Sequence, residues 1–385
     1  MPAPARAAVV TRRIPAGAGR GDPPPDGLAG NVVLDVRGWR EPCKILRMIA
    51  AMAGRLSIVA DKVGVSEATV SRVLNDRPGV SQATRDAVLT ALDVLGYERP
   101  TKLRGDRNRL VGLVLPELGN PIFPAFAEVI GGALAQQRFT PVLCTRTAGG
   151  ITEAEYVDLL LDQHVSGVIF VGGLFSERAA DHGHYERLHS LGLPVVLVNA
   201  AIESLPFARV SCDDALAMQQ ALGHLFSLGH ERVGLLLGPE DHVPSQLKLD
   251  AARALAAGLG HDLDPSLVVH SQYSLEAGQA SSTKLLDAGA TAIACASDML
   301  ALGAIRAVRR AGLRVPQDIS VVGYDDSALM NSTEPALTTV RQPIEPMGRA
   351  AVDILSRMIT GQGVSTSELL FESELVVRAS TAARR

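Results

Sequence analysis

Between Ser66 and Asn75 the chain carries Glu67, Ala68, Thr69, Ser71 and Arg72 where a helix would turn them outward. Val70, Val73 and Leu74 fall on the opposite face. A guanidinium such as Arg72 can hold a guanine edge or a phosphate. A carboxylate such as Glu67 can accept from cytosine N4, and the Ala68 methyl can touch a thymine methyl. The hydroxyls of Ser66, Thr69 and Ser71 suit phosphate oxygens, contacts that position a protein without reading bases. A merely solvated helix face has the same composition, so the segment alone leaves both readings open. A second candidate is Asp298, which closely follows the apolar run Ala292–Cys295. An ionised carboxylate near the end of a parallel strand, at the mouth of a cleft, can accept two hydroxyl hydrogen bonds. Asp298 is equally expected to cap the helix that starts at Met299, and the two roles are compatible.

Other clusters carry less. His182, His184 and His189 invite a metal, but no further ligand cluster accompanies them, and they read as a surface loop. Gly149–Gly150 and Gly172–Gly173 form no dinucleotide or phosphate-loop signature and read as loop turns. Cys43, Cys144, Cys212 and Cys295 lie far apart, with no metal or redox spacing. Cys144 and Cys295 sit in apolar runs and are expected to be buried and reduced, which suits a cytoplasmic location. No nucleophile elbow, metal set or cofactor motif supports an enzyme.

The elements that would position these residues follow from periodicity. Leu56, Val59 and Val63 share a helical face, Gly64 can turn the chain, and Ser66 is a good cap for the helix that follows. Ser81 caps a third helix with Val88, Leu92 and Leu95 inward, stopped at Gly96. A helical head is therefore expected at 55–97, with a basic linker at 98–109. Beyond it lie the apolar runs Leu110–Leu115, Pro141–Cys144, Gly167–Val171, Val195–Val198, Val233–Leu237, Ala292–Cys295 and Ser320–Tyr324. Weaker runs are Arg209–Cys212 and Leu267–His270. Their alternation with helical segments predicts parallel sheets covered by helices, in two similar lobes over 110–380. A helix at Ile344–Ile359 and late strands at Leu369–Phe371 and Glu374–Val377 close the chain.

Residues 1–54, rich in Ala, Gly, Pro and Arg, are expected to be disordered, with Met52 or Met48 as alternative starts. The 385 residues suggest two or three domains, and an apolar fraction of 47% supplies large cores. A net charge of −4 confines any nucleic-acid binding to a local patch. No signal peptide is recognised, and no apolar stretch approaches the ~20 residues that span a bilayer.

The segment from Leu56 to Tyr97 closely resembles the head of the lactose-repressor (LacI/GalR) family of bacterial regulators. The matching residues are A-x-x-x-G-V-S, T-V-S-R-V-L-N, G-V-S-x-x-T-R and L-G-Y. The likeness continues through N-P-I-F at 120–123, S-L-G-H at 227–230, A-S-D at 296–298, V-P-x-D-I-S-V-V-G-Y-D-D from Val315 and L-T-T-V-R-Q-P from Leu337. The overall wording is most similar to actinobacterial members that regulate maltose and related sugar genes. The resemblance implies a helix-turn-helix head on a periplasmic-binding-protein-like sensor of two doubly wound lobes. It implies a homodimeric repressor of double-stranded operator DNA, released by a small-molecule effector, a sugar, with no membrane partner. The rivals are a regulator of the same class whose ligand acts as a corepressor, and a solute-binding protein without DNA function.

The implied DNA contacts are Leu56, Ser66, Glu67, Ala68, Thr69, Ser71, Arg72 and Asn75, with Lys102, Leu103 and Arg104 in the linker. There Leu103 matches the leucine that wedges into the minor groove and kinks the duplex. The stretch from Tyr97 to Gly112 is shorter than the family pattern and contains Pro100, a departure that bears on its hinge helix. The implied effector contacts are Phe123 and Asn199 from the first lobe, Lys248, Tyr273, Asp298 and Asp325 from the second, and Gln342 on a crossover. Asn199 stands where many relatives have Asp. Tyr273 is the expected stacking face, and Lys248 stands where the family usually has Arg, so a bidentate grip is lost.

Overall fold

The computed structural model describes residues 58–74, 77, 79–94, 109–146, 149–260 and 263–384. The chain divides into two compact units, Met1–Glu98 and Arg99–Arg385.

Among its described residues the first unit holds three helices: α1 at 58–63, α2 at Glu67–Leu74 and α3 at Gln82–Val94. Gly64 takes φ +73°, and Val65 N–H returns to the Ala60 carbonyl at 3.0 Å. Ser66 Oγ accepts from Thr69 N–H at 3.1 Å, and Ser81 Oγ from Thr84 N–H at 3.2 Å. Each serine satisfies a donor that its helix leaves orphaned. Val59, Val70, Val73, Val88 and Leu92 form the buried centre.

The second unit contains two six-stranded sheets. Its first lobe has strands β1 (Leu110–Leu115), β2 (Thr140–Thr145), β3 (Gly167–Val171), β4 (Val195–Val198), β5 (Ala208–Cys212) and β11 (Glu368–Phe371), ordered 11-5-4-3-1-2 and all parallel. The second lobe has β6 (Val233–Leu237), β7 (Val268–His270), β8 (Ala292–Cys295), β9 (Ser320–Asp325), β10 (Thr338–Arg341) and β12 (Glu374–Val376), ordered 12-10-9-8-6-7. Among these strands β10 and β12 pair antiparallel and the others parallel. Strands such as β3 and β6 are buried along their whole length because helices cover both faces. β10 is the strand that periodicity did not reveal. Thr338 and Thr339 are fully buried, and their hydroxyls find partners that include Thr381 and Asp298.

Helices α4 (Ile122–Gln136), α5 (Glu153–Asp162), α6 (Gly183–Ser190) and α11 (Ile344–Ile359) belong to the first lobe. The second lobe has α7 (Asp214–Ser227), α8 (Val243–Gly258), α9 (Leu275–Asp287) and α10 (Asp298–Arg310). The chain therefore crosses between lobes after β5, after β10 and between β11 and β12. These crossings are tied together. Asp213 N–H donates to the Phe371 carbonyl at 2.8 Å, and Gln220 Nε2 to the Ser373 carbonyl at 2.9 Å. In the second lobe α9 lies tightly on α10. A Cβ at Gly303 would meet the Leu275 carbonyl at 2.4 Å, so glycine sets this approach.

Candidate functional site

In the head, α2 presents Glu67, Ala68 and Arg72 as exposed side chains, with Thr69 and Ser71 half-buried beside them. Ser66 is spent on capping, its hydroxyl also meeting Thr69 Oγ1 at 2.9 Å. The expected contacts Leu56, Asn75, Lys102, Leu103 and Arg104 lie outside the described residues.

In the sensor, each sheet reverses its strand order once, between β1 and β3 in the first lobe and between β6 and β8 in the second. Ligands of open parallel sheets bind beyond the carboxyl ends of the strands at such points. A cavity of about 370 Å³ lies there, walled by both lobes. The segment after β1 contributes Glu117 and Asn120, the first turn of α4 contributes Phe123, and the segment after β3 contributes Gly172, Gly173, Ser176 and Glu177. The second lobe contributes His242, Lys248, Tyr273 and Ser297. A larger hollow of about 750 Å³ shares Asn199 and Asp214, and of the expected effector contacts it holds Asn199 alone.

Phe123, Asn199, Lys248, Tyr273, Asp325 and Gln342 all line the smaller cavity, as expected positions brought together from distant parts of the chain. A polar chain connects three of them. Asn199, held at φ +68°, accepts from Cys212 N–H at 3.0 Å and donates from Nδ2 to Gln342 Oε1 at 2.9 Å. Gln342 Nε2 then donates to Asp325 Oδ1 at 2.7 Å. Burial pushes the Asp325 carboxyl well above the usual carboxylate range, and the nearby Asp298 charge adds to it.

Lys248 is buried and ion-paired to Asp214, with its ammonium 4.0 Å from the centre of the Tyr324 ring. Tyr324 Oη donates to the same Asp214 carboxylate at 3.1 Å. Burial works most strongly against the Lys248 charge, but Asp214, Tyr273 and Cys212 together offset it and hold the lysine above its ordinary value. Tyr273 is anchored by its hydroxyl to Ser245 Oγ at 3.1 Å, and its ring crosses that of His242 at 5.5 Å. A Cβ at Gly238 would sit 2.1 Å from the Tyr273 hydroxyl, so this glycine makes room for the ring. Burial, with Lys248 nearby, lowers His242 to about 4 and keeps it neutral near pH 7.

Asp298 departs from its expected position. It is 0% exposed and does not wall the cavity. Its Oδ2 accepts from Ser327 N–H and Oγ, each at 2.8 Å, and its Oδ1 from Thr339 Oγ1 at 2.6 Å. Nor is it the helix cap. Ser297 caps α10, accepting from Leu300 N–H at 3.2 Å. Proximity to a strand end did not reveal depth, and this carboxylate is directed at its own lobe's β9–β10 region.

The histidines also depart from expectation, because they are not in a surface loop. His184 is nearly buried and bonded to Glu153 Oε1 at 3.0 Å, an acceptor that Tyr185 shares. His182 Nε2 lies 3.1 Å from the carbonyls of Leu174 and Glu177. Glu153 also accepts from Leu174 N–H at 3.4 Å, so the cluster braces the loop that carries Ser176. Among the described residues no group of His, Cys, Asp and Glu has the arrangement of a metal site. Cys144, Cys212 and Cys295 are buried free thiols.

Sequence reasoning missed Glu117, Arg146, Ser176, Glu177 and Asp214. They are scattered over loops after different strands, and only the folded switch point gathers them. Across the mouth of the cleft, Glu177 and His242 form an isolated antiparallel bridge, and Arg178 N–H donates to the Asp241 carbonyl at 3.1 Å. Among the described residues no helix is long and apolar enough to cross a membrane.

Residues 56–100 match the model of bacterial regulatory proteins of the lacI family, and residues 222–381 match that of a periplasmic binding protein-like domain. The chain is 52% identical over 335 residues to the HTH-type transcriptional regulator MalR of Streptomyces coelicolor, covering 86% of this chain and 97% of that one. It is 34% identical to the HTH-type transcriptional regulator CelR of Thermobifida fusca, covering 84% and 97%. Among solved structures, a CelR–cellobiose complex is similar at 33% identity and a TM-score of 0.65, covering 84% of this chain and 99% of that one. A lac repressor dimer bound to operator and an anti-inducer is similar at 29% identity and a TM-score of 0.64, covering 84% and 98%.

Proposed function

The chain belongs to the lacI family of bacterial regulatory proteins, DNA-binding transcriptional regulators with a sugar-binding-like domain, and from that membership we propose a homodimeric repressor released from its operator by a small carbohydrate. In this reading α2 enters the major groove of each half of a pseudo-palindromic site. Arg72 and Glu67 read base edges, Ala68 meets a thymine methyl, and Thr69 and Ser71 meet the backbone. The linker residues Lys102 and Arg104 meet phosphates, and Leu103 wedges into the minor groove.

The observation that carries the effector half is the cleft at both switch points, where aromatic faces and polar groups from two lobes converge on one volume. Phe123 and Tyr273 offer faces for a sugar ring. Gln342 lies on a crossing segment and bonds to a residue of each lobe, so a ligand touching it engages both lobes and their junction. Such a ligand releases DNA only if it binds the lobe arrangement of the free protein more tightly than that of the operator-bound protein.

The test is operator binding by the full chain at fixed salt, with and without added sugar. Sugar-dependent release supports the repressor reading. Sugar-dependent tightening makes the ligand a corepressor, and no operator preference over random DNA overturns the DNA half.

A further inference from the structure

Hydrogen-bonding capacity is spent unequally on the two walls of the cleft. On the second lobe the polar groups are paired with one another. Lys248 and Tyr324 meet Asp214, Tyr273 meets Ser245, and Asp325 meets Gln342. On the first lobe Asn199 and Asn120 are paired, but other polar groups are not. Arg146 follows β2 and lines the cleft, yet no hydrogen bond or ion pair among the described residues engages its guanidinium. Glu117 and Glu177 line the same wall, also without a side-chain hydrogen bond among those residues. Burial pushes both carboxyls up, and the Arg146 charge pulls both back toward ionisation. Ser176, on the same wall, is 1% exposed, and its Oγ is buried with no partner among the described residues. Natural structures rarely leave a buried hydroxyl unmet, and an orphan in a cleft points to a bond supplied by a ligand.

We propose that the first lobe grips the effector through Arg146, Ser176, Glu117 and Glu177, and that the effector is a neutral polyol, not a phosphorylated or carboxylated sugar. The assignment rests on the cleft being the effector site. Of the cations that line it, Lys248 is neutralised by Asp214, and the charge of Arg146 stands against the two carboxyls of Glu117 and Glu177 on the same wall. His242 is neutral and adds no charge. An anionic ligand would approach two carboxyls, Glu117 and Glu177, with the single guanidinium of Arg146 set against them. Sugar hydroxyls both donate and accept, so they can donate to the carboxylates while accepting from the guanidinium. Ser176 Oγ can take either role.

Isothermal titration calorimetry on the full chain tests this with ribose, maltose, cellobiose and glucose 6-phosphate as probes. At least one neutral sugar should bind, and glucose 6-phosphate should bind at least about tenfold more weakly. Arg146→Ala and Ser176→Ala should each weaken the bound sugar about tenfold or more. The thermal midpoint of ligand-free Ser176→Ala should match that of the parent, because the lost hydroxyl has no partner there, while the sugar-induced rise should shrink. Full sugar affinity in both variants, or preferred binding of glucose 6-phosphate, overturns the first-lobe assignment and leaves the sensor reading standing. Silence toward all four probes overturns the carbohydrate reading on which the assignment rests.

Discussion

Asn199, at the end of β4, donates from Nδ2 to Oε1 of Gln342, on the segment that carries the chain back to the first lobe, at 2.9 Å. Gln342 passes the link on to Asp325, and all three groups face the cleft. Gln342→Ala removes both bonds and leaves the buried Asp325 acceptor and the half-buried Asn199 donor unmet. A stability loss of about 1–3 kcal/mol is expected. Urea unfolding followed by circular dichroism measures it. A midpoint equal to that of the parent would mean that the junction does not depend on this chain of bonds.

Lys248 and Asp214 make the second expected effect. Lys248→Met leaves the Asp214 carboxylate buried with only the Tyr324 hydroxyl, and breaking such a pair typically costs about 3–5 kcal/mol. Adding Asp214→Asn should recover part of the loss, because the uncompensated charge is then gone. A double-mutant cycle reports the coupling directly, and a strictly additive double variant would contradict the pairing.

Asp298 makes stability depend on pH. Burial raises its carboxyl from 3.8 to about 6, against the pull of Thr339 and Ser327. The folded state therefore holds a proton that the unfolded state releases at lower pH. The resulting stability is fully present below about pH 4 and is lost as pH rises through about 6. Asp298→Asn keeps an acceptor for Ser327 and removes the titration. Relative to that variant, the parent should lose stability between about pH 4 and pH 6 and stay level in that difference above it. Parallel pH profiles of the two proteins would show that Asp298 does not titrate there.

Arg72 is the exposed cation of α2. Arg72→Ala should weaken operator binding by about 1–3 kcal/mol if it makes a bidentate base contact, and weaken random DNA much less. Competition gel shifts compare the two. Equal losses would reassign Arg72 to a phosphate.

The sheets were readable because parallel strands buried on both faces are continuous apolar runs, as Gly167–Val171 and Val233–Leu237 show. β10 escaped because its buried Thr338 and Thr339 are polar in sequence and gain their partners only in the fold. Phe123, Tyr273 and Gln342 were placed by resemblance, and they do converge on one cavity. Asp298 was misplaced because sequence gives the end of a strand but not the depth of the next side chain. His184 read as surface because its partner Glu153 is 31 residues away. Lys248 read as a weakened ligand because nothing local announces Asp214, 34 residues earlier.

The most direct measurement titrates sugar into the complex of the full chain with its operator, located by genomic footprinting. Fluorescence anisotropy at constant salt follows release, and calorimetry shows independently which sugar is bound. Saturation with a bound neutral sugar should raise the operator Kd by about tenfold or more, while affinity for random DNA stays level. An operator Kd that is unchanged, or lower, with that sugar in place would contradict release by a carbohydrate.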